Sequence, residues 1–552
     1  MKQVNLSAGK HSIVFLLLLS IHCTLSGQGF SPAAQAKLQE VLDEFQNNPD
    51  NPYVGGIAAA IKVDGLAFWQ GSTGYAARNV DAQNNLQPGG TAFTTATLSQ
   101  IYSVTKTFTS ALVLELANEG KLNLDDPVSN FLPLAQINAG LNASVTIRQL
   151  LAHESGYSDY TGEFQFQLAI AFQPQHIWTP FEILYFVHQV KQPGLDRTYS
   201  STNYITLGAI VEIVTGKSLE QHYRERFFTP LQLGSMYLGV KEPQPAGTLL
   251  ASPHDNISAF NPIFQLTGQP TFPNAYTNIS RFPMTGIVSA AFAGGGIVSN
   301  IADLAEWGNA LFSGRATSKA TLDQMLNSIS PVADDEGDKL GYGIWQSTKM
   351  SAEEKFIGHD GNAPGYRSVM FYQPDKKLTL VILTNYHGAD IYALARALYA
   401  AVPEFTCGND GRKDEKIRLC FNGNNVCVDR TAADELVARG GVLGNCPEVL
   451  TKAVKEVPAQ ESNSGFSISP NPVTTSSRIH FRVAERSRVV MKIYNLSGQA
   501  IATVADGIYA PGMHTINWNG RDNNQQYLPA GIYLCQLQNG NKVETKKISV
   551  VR

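Results

Sequence analysis

The 552 residues exceed what one hydrophobic core organises, and at about 150 residues per domain the chain divides into two to four units. Its composition, 43% hydrophobic and 16% charged, is that of a globular protein in water. A formal net charge of −4 with no long basic run gives no electrostatic pull toward nucleic acid or an anionic membrane, so a small-molecule or peptide substrate is the expectation.

Met1, Lys2 and Lys10 precede the apolar run 13–21 and the small-residue stretch Thr24-Leu-Ser-Gly27. That order is that of a secretory signal peptide over residues 1–27, and the run is too short to leave a transmembrane helix after its removal. The expectation is a secreted or surface-attached protein. Residues 33–45 have the spacing of an amphipathic helix, and two β-rich runs, 56–62 and 66–70, flank Asp64-Gly65, a hairpin signal.

The stretch 100–119 places Phe108, Leu112, Glu115 and Leu116 at helical spacing, with Gly120 where a C-terminal cap falls. It predicts a helix carrying Ser103 and Lys106 on its first turn. A spacing of three puts the amine within reach of the hydroxyl proton, and a helix N-terminus offers N–H groups to an oxyanion. Alone the pair is a weak signal, since Ser7 and Lys10 repeat it inside the leader.

Residues 146–156 predict a short capped helix closing at Gly156, with His153 making local hydrogen bonds at its end. Arg197-Thr-Tyr199 runs from a turn into a second buried helix bearing Ser201 and Asn203. The stretch 243–285, rich in Pro, Asn and aromatic residues, reads either as the border of a pocket or as an ordered surface excursion. A helix starts near Ser299. Runs 341–345, 356–361, 366–372 and 378–384 predict antiparallel strands, and 392–400 a closing helix. Strands at both ends with helices between them predict an α+β domain over 28–403, one antiparallel sheet built from both ends and packed with a helical region.

Cys407, Cys420, Cys427 and Cys446 cluster within 404–451. In an exported chain they read as two disulfides of open connectivity in a stapled spacer; a zinc site ranks second, because no close Cys-x-x-Cys pair and no nearby His complete a set. Neither metal nor cofactor is implied. A polar linker spans 452–465. From 466 to 552 short β-rich runs alternate with turns, which predicts a small β-sandwich, and Cys535 in an alternating apolar run reads as a buried thiol.

Three stretches together supply what an activated serine needs: Ser103 and Lys106, then Tyr199, then His359-Asp-Gly361 on a late strand. A phenol serves as acid or base when a neighbouring cation lowers its pKa, a role open to Lys106. With Gly120-Lys-Leu-Asn-Leu-Asp-Asp-Pro127, Leu150-Leu-Ala-His-Glu-Ser-Gly156, Gly294-Gly-Gly-Ile-Val-Ser299 and Pro364-Gly-Tyr366 in order, residues 51–401 resemble the serine β-lactamase-like family of class C β-lactamases, D-alanyl-D-alanine carboxypeptidases and esterases. The resemblance implies Ser103 as acylated nucleophile and Lys106 with Tyr199 as its proton-transfer pair. It also implies Ser201, Asn203, His359 and Gly361 at the substrate, and the backbone N–H groups of Ser103 and Asn362 as the oxyanion hole. Two departures bear on substrate. Ser201 stands where the family's Tyr-x-Asn has its amide, and His-Asp-Gly replaces Lys-Thr-Gly, so the hold on a substrate amide and on a carboxylate both weaken. Carboxypeptidase-like or esterase activity therefore ranks above β-lactamase. The segment 466–552 resembles the type A sorting domain of type IX secretion through Phe466-Ser-Ile-Ser-Pro-Asn-Pro472, Ile493-Tyr-Asn-Leu-Ser-Gly498 and Pro529-Ala-Gly-Ile-Tyr533, which implies the secretion machinery as a partner.

Overall fold

The computed structural model describes residues 29–48, 54–334, 337–351, 353–407, 416–446 and 466–550, the last span without 470, 472, 474–475, 484, 496–498, 530 and 540–541. The leader, the linker 452–465 and parts of the C-terminal motifs lie outside the described residues. Two units form, one within 1–449 and one within 450–552.

The larger unit is built on an eight-stranded antiparallel sheet. Its strands are β1 (Gly56–Val63), β2 (Ala67–Val80), β3 (Leu86–Ala92), β4 (Lys339–Leu340), β5 (Trp345–Ser347), β6 (Phe356–Ala363), β7 (Tyr366–Gln373) and β8 (Leu378–Thr384), ordered β3-β2-β1-β8-β7-β6-β5-β4. The hairpin at Asp64 joins β1 to β2 with Val63 opposite Ala67, and Gly65 takes a left-handed φ of 70°. Strands from the two ends of this domain then meet at the centre, where Ile57 to Val63 pair with Thr384 to Leu378. Pleating splits β1 between two cores: Ala58 and Ala60 face the helical region, while Ile57, Ala59 and Ile61 face the helices α1 (Pro32–Gln46) and α7 (Ile391–Ala401). The α+β class predicted from the alternation of strands and helices is the one observed.

The helical region contains α2 (Thr105–Asn118), α3 (Phe164–Phe172), α4 (Ser201–Thr215), α5 (Thr285–Gly295) and α6 (Ile301–Phe312). Helix α2 is buried on every side from Thr105 to Leu114, its polar first half included. Phe108 stacks on Trp307 of α6 at 3.7 Å between centroids. Past the C-terminus of α2, Gly120 adopts φ 71° and the Lys121 N–H returns to the Leu116 carbonyl, closing the helix as its glycine foretold. The short helix Ile147–Leu151 is held by a capping box between Thr146 and Gln149.

Two expectations are corrected here. The strand read as 66–70 runs on to Val80 and pairs with a further strand, 86–92, whose Gly89 and Gly90 conceal the β pattern and whose pairing is broken by two register shifts. The Cys-bearing segment is no spacer. Its disulfides join Cys407 to Cys427 and Cys420 to Cys446, which suits an oxidising, extracytoplasmic compartment. Its Phe405, Ile417, Leu419, Val437 and Leu443 sit in the same core as Leu38, Ile61 and Leu398. The Leu443 N–H reaches the Gly29 carbonyl at 2.7 Å and Arg430 reaches the Asp64 carbonyl at 2.7 Å.

The C-terminal unit is a β-sandwich of a three-stranded and a four-stranded antiparallel sheet. Alternation is visible in Ser477–Val483, whose Ile479, Phe481 and Val483 point inward while Arg478 and Arg482 face water. Cys535 is fully buried and unpaired, as its apolar surroundings predict. No helix among the described residues is long and apolar enough to cross a membrane.

Candidate active site

Ser103 does not lie on the α-helix itself. It occupies a 3-10 turn, Tyr102–Val104, that precedes α2. Tyr102 takes a left-handed φ of 41°, an unfavourable conformation for a bulky residue, so the chain leaves the short strand Ser99–Gln100 on a sharp bend. The turn is seated on β6. A Cβ at Gly361 would fall 2.2 Å from the Ile101 carbonyl oxygen and 2.4 Å from Ser368 Oγ. The same Ser368 hydroxyl donates to the Ile101 carbonyl at 2.8 Å. Gly361 thus serves the chain's own packing beneath the serine, rather than the substrate contact that the resemblance implies.

Lys106, in the first turn of α2, is fully buried and points back at the serine. Its Nζ lies 2.9 Å from Ser103 Oγ, 2.7 Å from the Gly294 carbonyl and 3.4 Å from Ser201 Oγ. Phe292, with φ 35°, bends the end of α5 just before Gly294. Burial drives the Lys106 pKa down to about 7, against the opposing pull of Asp159 and Asp360. Near neutrality a substantial fraction is therefore the free amine, which has a lone pair for the serine proton.

Tyr199 precedes α4, and Lys106 Nζ sits 5.0 Å from its ring centroid. Burial holds the phenol well above its ordinary pKa, and the hydrogen bond to Ser103 offsets this only in part. The expectation that Lys106 lowers the phenol is overturned by desolvation: Tyr199 stays protonated. His153, itself at φ 60°, stacks on the Tyr199 ring at 4.6 Å and accepts from the Ser200 N–H at 3.2 Å through Nδ1. Burial lowers its pKa to about 3. It acts as a neutral packing group, in line with its reading as a locally bonded histidine. Arg197 fixes the approach to Tyr199 by bonding Glu154 at 2.8 Å and the Leu340 carbonyl at 2.6 Å.

These groups open onto a cleft of about 730 Å³ lined by Ser103, Tyr199, Ser201 and Asn362. Asn362 lies beyond the β5–β6 pairing, which ends at Gly358, so this edge of β6 is left to face the cleft. Three expected substrate contacts do not line it. Asn203 is buried behind the wall, bonded to Ser155 at 2.5 Å. His359 is packed against Trp345 at 3.8 Å between centroids, and burial pushes its pKa well below the ordinary value. Gly361 is covered by the serine turn. For His359 and Gly361 the physical reason is strand alternation: Asp360 and Asn362 face the cleft while His359 and Gly361 face inward.

Two aspartates complete the site, one inside the His359-Asp-Gly361 motif and one outside any motif. Asp159 lines the cleft and accepts from the Ser201 N–H at 2.9 Å. Asp360 accepts from the Tyr392 hydroxyl at 3.0 Å, and burial raises its pKa. The excursion 243–285 does border the pocket, through Ile257, Phe260, Phe264, Ile279 and Phe282. Its aromatic content was the one signal available in sequence.

A helical region resting on an antiparallel sheet, with a Ser-x-x-Lys turn at their junction, defines a serine hydrolase of β-lactamase-like type. The chain belongs to the Beta-lactamase family, whose model matches residues 43–402. The C-terminal unit matches the FlgD Ig-like domain over 471–542. Protein flp of Staphylococcus aureus strain MW2 is 25% identical over 355 residues, 63% of this chain; the chain spans 63% of that relative's length. Penicillin-binding protein 4* of Bacillus subtilis strain 168 is 25% identical over 61% of this chain and 74% of its own. The D-amino acid amidase from Ochrobactrum anthropi SV3, solved with L-phenylalanine amide, superposes with a TM-score of 0.54 at 25% identity, covering 67% of this chain and 98% of that one.

Proposed function

We propose that the protein hydrolyses a peptide-like amide or an ester through an acyl-enzyme on Ser103. The observation that carries this is the Lys106 amine, buried, with a pKa of about 7, 2.9 Å from Ser103 Oγ. The amine takes the hydroxyl proton as Oγ bonds to the substrate carbonyl carbon. The N–H groups of Ser103 and Asn362 receive the oxyanion. As the carbonyl re-forms, the bond to the leaving group breaks, and that group takes a proton relayed through the Tyr199 hydroxyl. Water then repeats the sequence to release the acid and restore Ser103. Amidase or esterase chemistry is favoured over D-alanyl-D-alanine carboxypeptidase or β-lactam hydrolysis, since Ser201 lacks an amide and the buried His359 offers no cation for the carboxylate that those substrates carry. The likeness to a D-amino acid amidase supports the amide arm. Incubating the protein with a fluorophosphonate is expected to add one covalent adduct, mapped to Ser103 by mass spectrometry and lost in Ser103→Ala. A folded sample that never labels would count against the reading.

For the C-terminal sandwich we propose a type IX sorting role that carries the protein across the outer membrane, supported by its β-sandwich form, the motifs beginning at Phe466, Ile493 and Pro529, and the leader sequence. Deleting 466–552 in a bacterium that has this secretion system is expected to leave the hydrolase in the periplasm. Unchanged appearance in the medium or at the surface, on fractionation, would refute the role.

A further inference from the structure

The cleft has two chemically distinct lobes. One is walled by α3, the 243–285 excursion and the start of α5, and presents Ile170, Phe260 and Ile287, with Phe166, Phe264 and Phe282 buried in the wall behind them. Phe264 packs against Phe260 and Phe282 at 6.0 and 5.0 Å between centroids, in a small apolar cluster of its own. These rings hold one another in place, so the lobe is preformed and its apolar surface is available to a ligand without rearrangement. The other lobe carries the charged side chains. Four carboxylates, Asp159, Asp334, Asp338 and Asp360, line the cleft against two cations, Lys349 and Arg367. Lys349 is paired with Asp338 at 3.0 Å, and Arg367 donates to the Ala389 carbonyl at 3.0 Å. Asp338 is 3% exposed, and its Oδ1 has no hydrogen-bond partner among the described residues. A buried acceptor in this state takes an N–H or O–H donor and repels another carboxylate.

We infer that the enzyme selects substrates by a bulky apolar group seated in the aromatic lobe, and rejects those that bring a free carboxylate into the cleft. This rests on the hydrolase reading above and names its substrate class: neutral or amine-bearing esters and amides with an aryl or medium-chain alkyl group. Phe260, half-buried at the mouth of the lobe, is the residue set to decide size, while Phe264 behind it holds the wall.

The test uses 4-nitrophenyl esters with acetyl, butyryl, octanoyl and phenylacetyl groups, a second series of acetate esters with methyl, butyl and benzyl alcohols, and the pair methyl glutaryl against free glutaryl. The expected result is a rise in kcat/KM of about tenfold or more with apolar size in at least one series, and a fall of similar size for the free acid. Phe260→Ala is expected to shrink the large-to-small ratio in the series that shows the rise, with Ile257→Ala as a second variant if that protein does not fold. Flat series, or preference for the free acid, in a protein whose Ser103 still labels with fluorophosphonate would overturn this inference and leave the hydrolase reading standing. Absence of both labelling and turnover would overturn the two together.

Discussion

Raising the pH from 6 to 8 is expected to increase kcat/KM about tenfold, along an ascending limb centred near 7. The sign follows from burial. An ammonium enclosed among α2, α4 and α5 loses hydration, so the free amine is favoured and the Lys106 pKa falls to about 7. The amine is the active form, so activity rises as the proton leaves. Tyr199 cannot produce the limb, because burial holds its phenol far above this range. His153 and His359, whose pKa values burial depresses, stay neutral across it. Lys106→Ala is expected to remove the limb and lower kcat/KM by about 10³-fold or more, as loss of an adjacent base does for a serine nucleophile. Fluorophosphonate labelling rates measured over the same pH range check the assignment without a turnover substrate. A limb centred near 10 would instead mean that Lys106 keeps the pKa of an ordinary amine despite its burial.

How much of this was legible beforehand differs by element. The serine pair was readable because a spacing of three on a helix fixes geometry locally, and β1, β8 and α7 were readable because apolar residues dominate their runs. The strand over 86–92 was hidden, since Gly89 and Gly90 carry no β signal and the pairing is imposed by β2. The roles of His359 and Gly361 depend on which face of β6 meets the cleft, a matter of one residue in register that composition does not report. Desolvation was the other blind spot. The sequence places Lys106 near Tyr199, yet only the enclosing helices determine that the phenol stays protonated while the amine titrates near 7. Asp159 belongs to no motif; its place is set by the Ser201 N–H, which it meets across 42 positions of chain.

The Cys-bearing segment yields the other large expected effect. A chain stopped after residue 403 is expected to be insoluble, or to melt about 15 °C or more below one stopped after residue 465. Phe405, Ile417, Leu419, Val437 and Leu443 are each at most 6% exposed and share one core with α1, α7 and the outer face of the sheet. At about 1.5–3 kcal/mol for each large side chain, their removal costs roughly 10 kcal/mol, comparable to the whole stability of an ordinary domain. The truncation also strips the partners of Gly29 and of Asp64 in the β1–β2 hairpin, where Leu443 and Arg430 bond. Reducing the longer chain separates the contribution of packing from that of the staples. The disulfides bridge 20 and 26 positions, and loops of that size contribute about 3 kcal/mol each by restricting the unfolded chain. Reduction is therefore expected to lower the melting temperature while leaving the fold and Ser103 labelling intact at 25 °C. Thermal melts of the three samples decide the point. Equal melting of the 403 and 465 chains would mean that this segment is only appended to the hydrolase, and the shared core argues against that outcome.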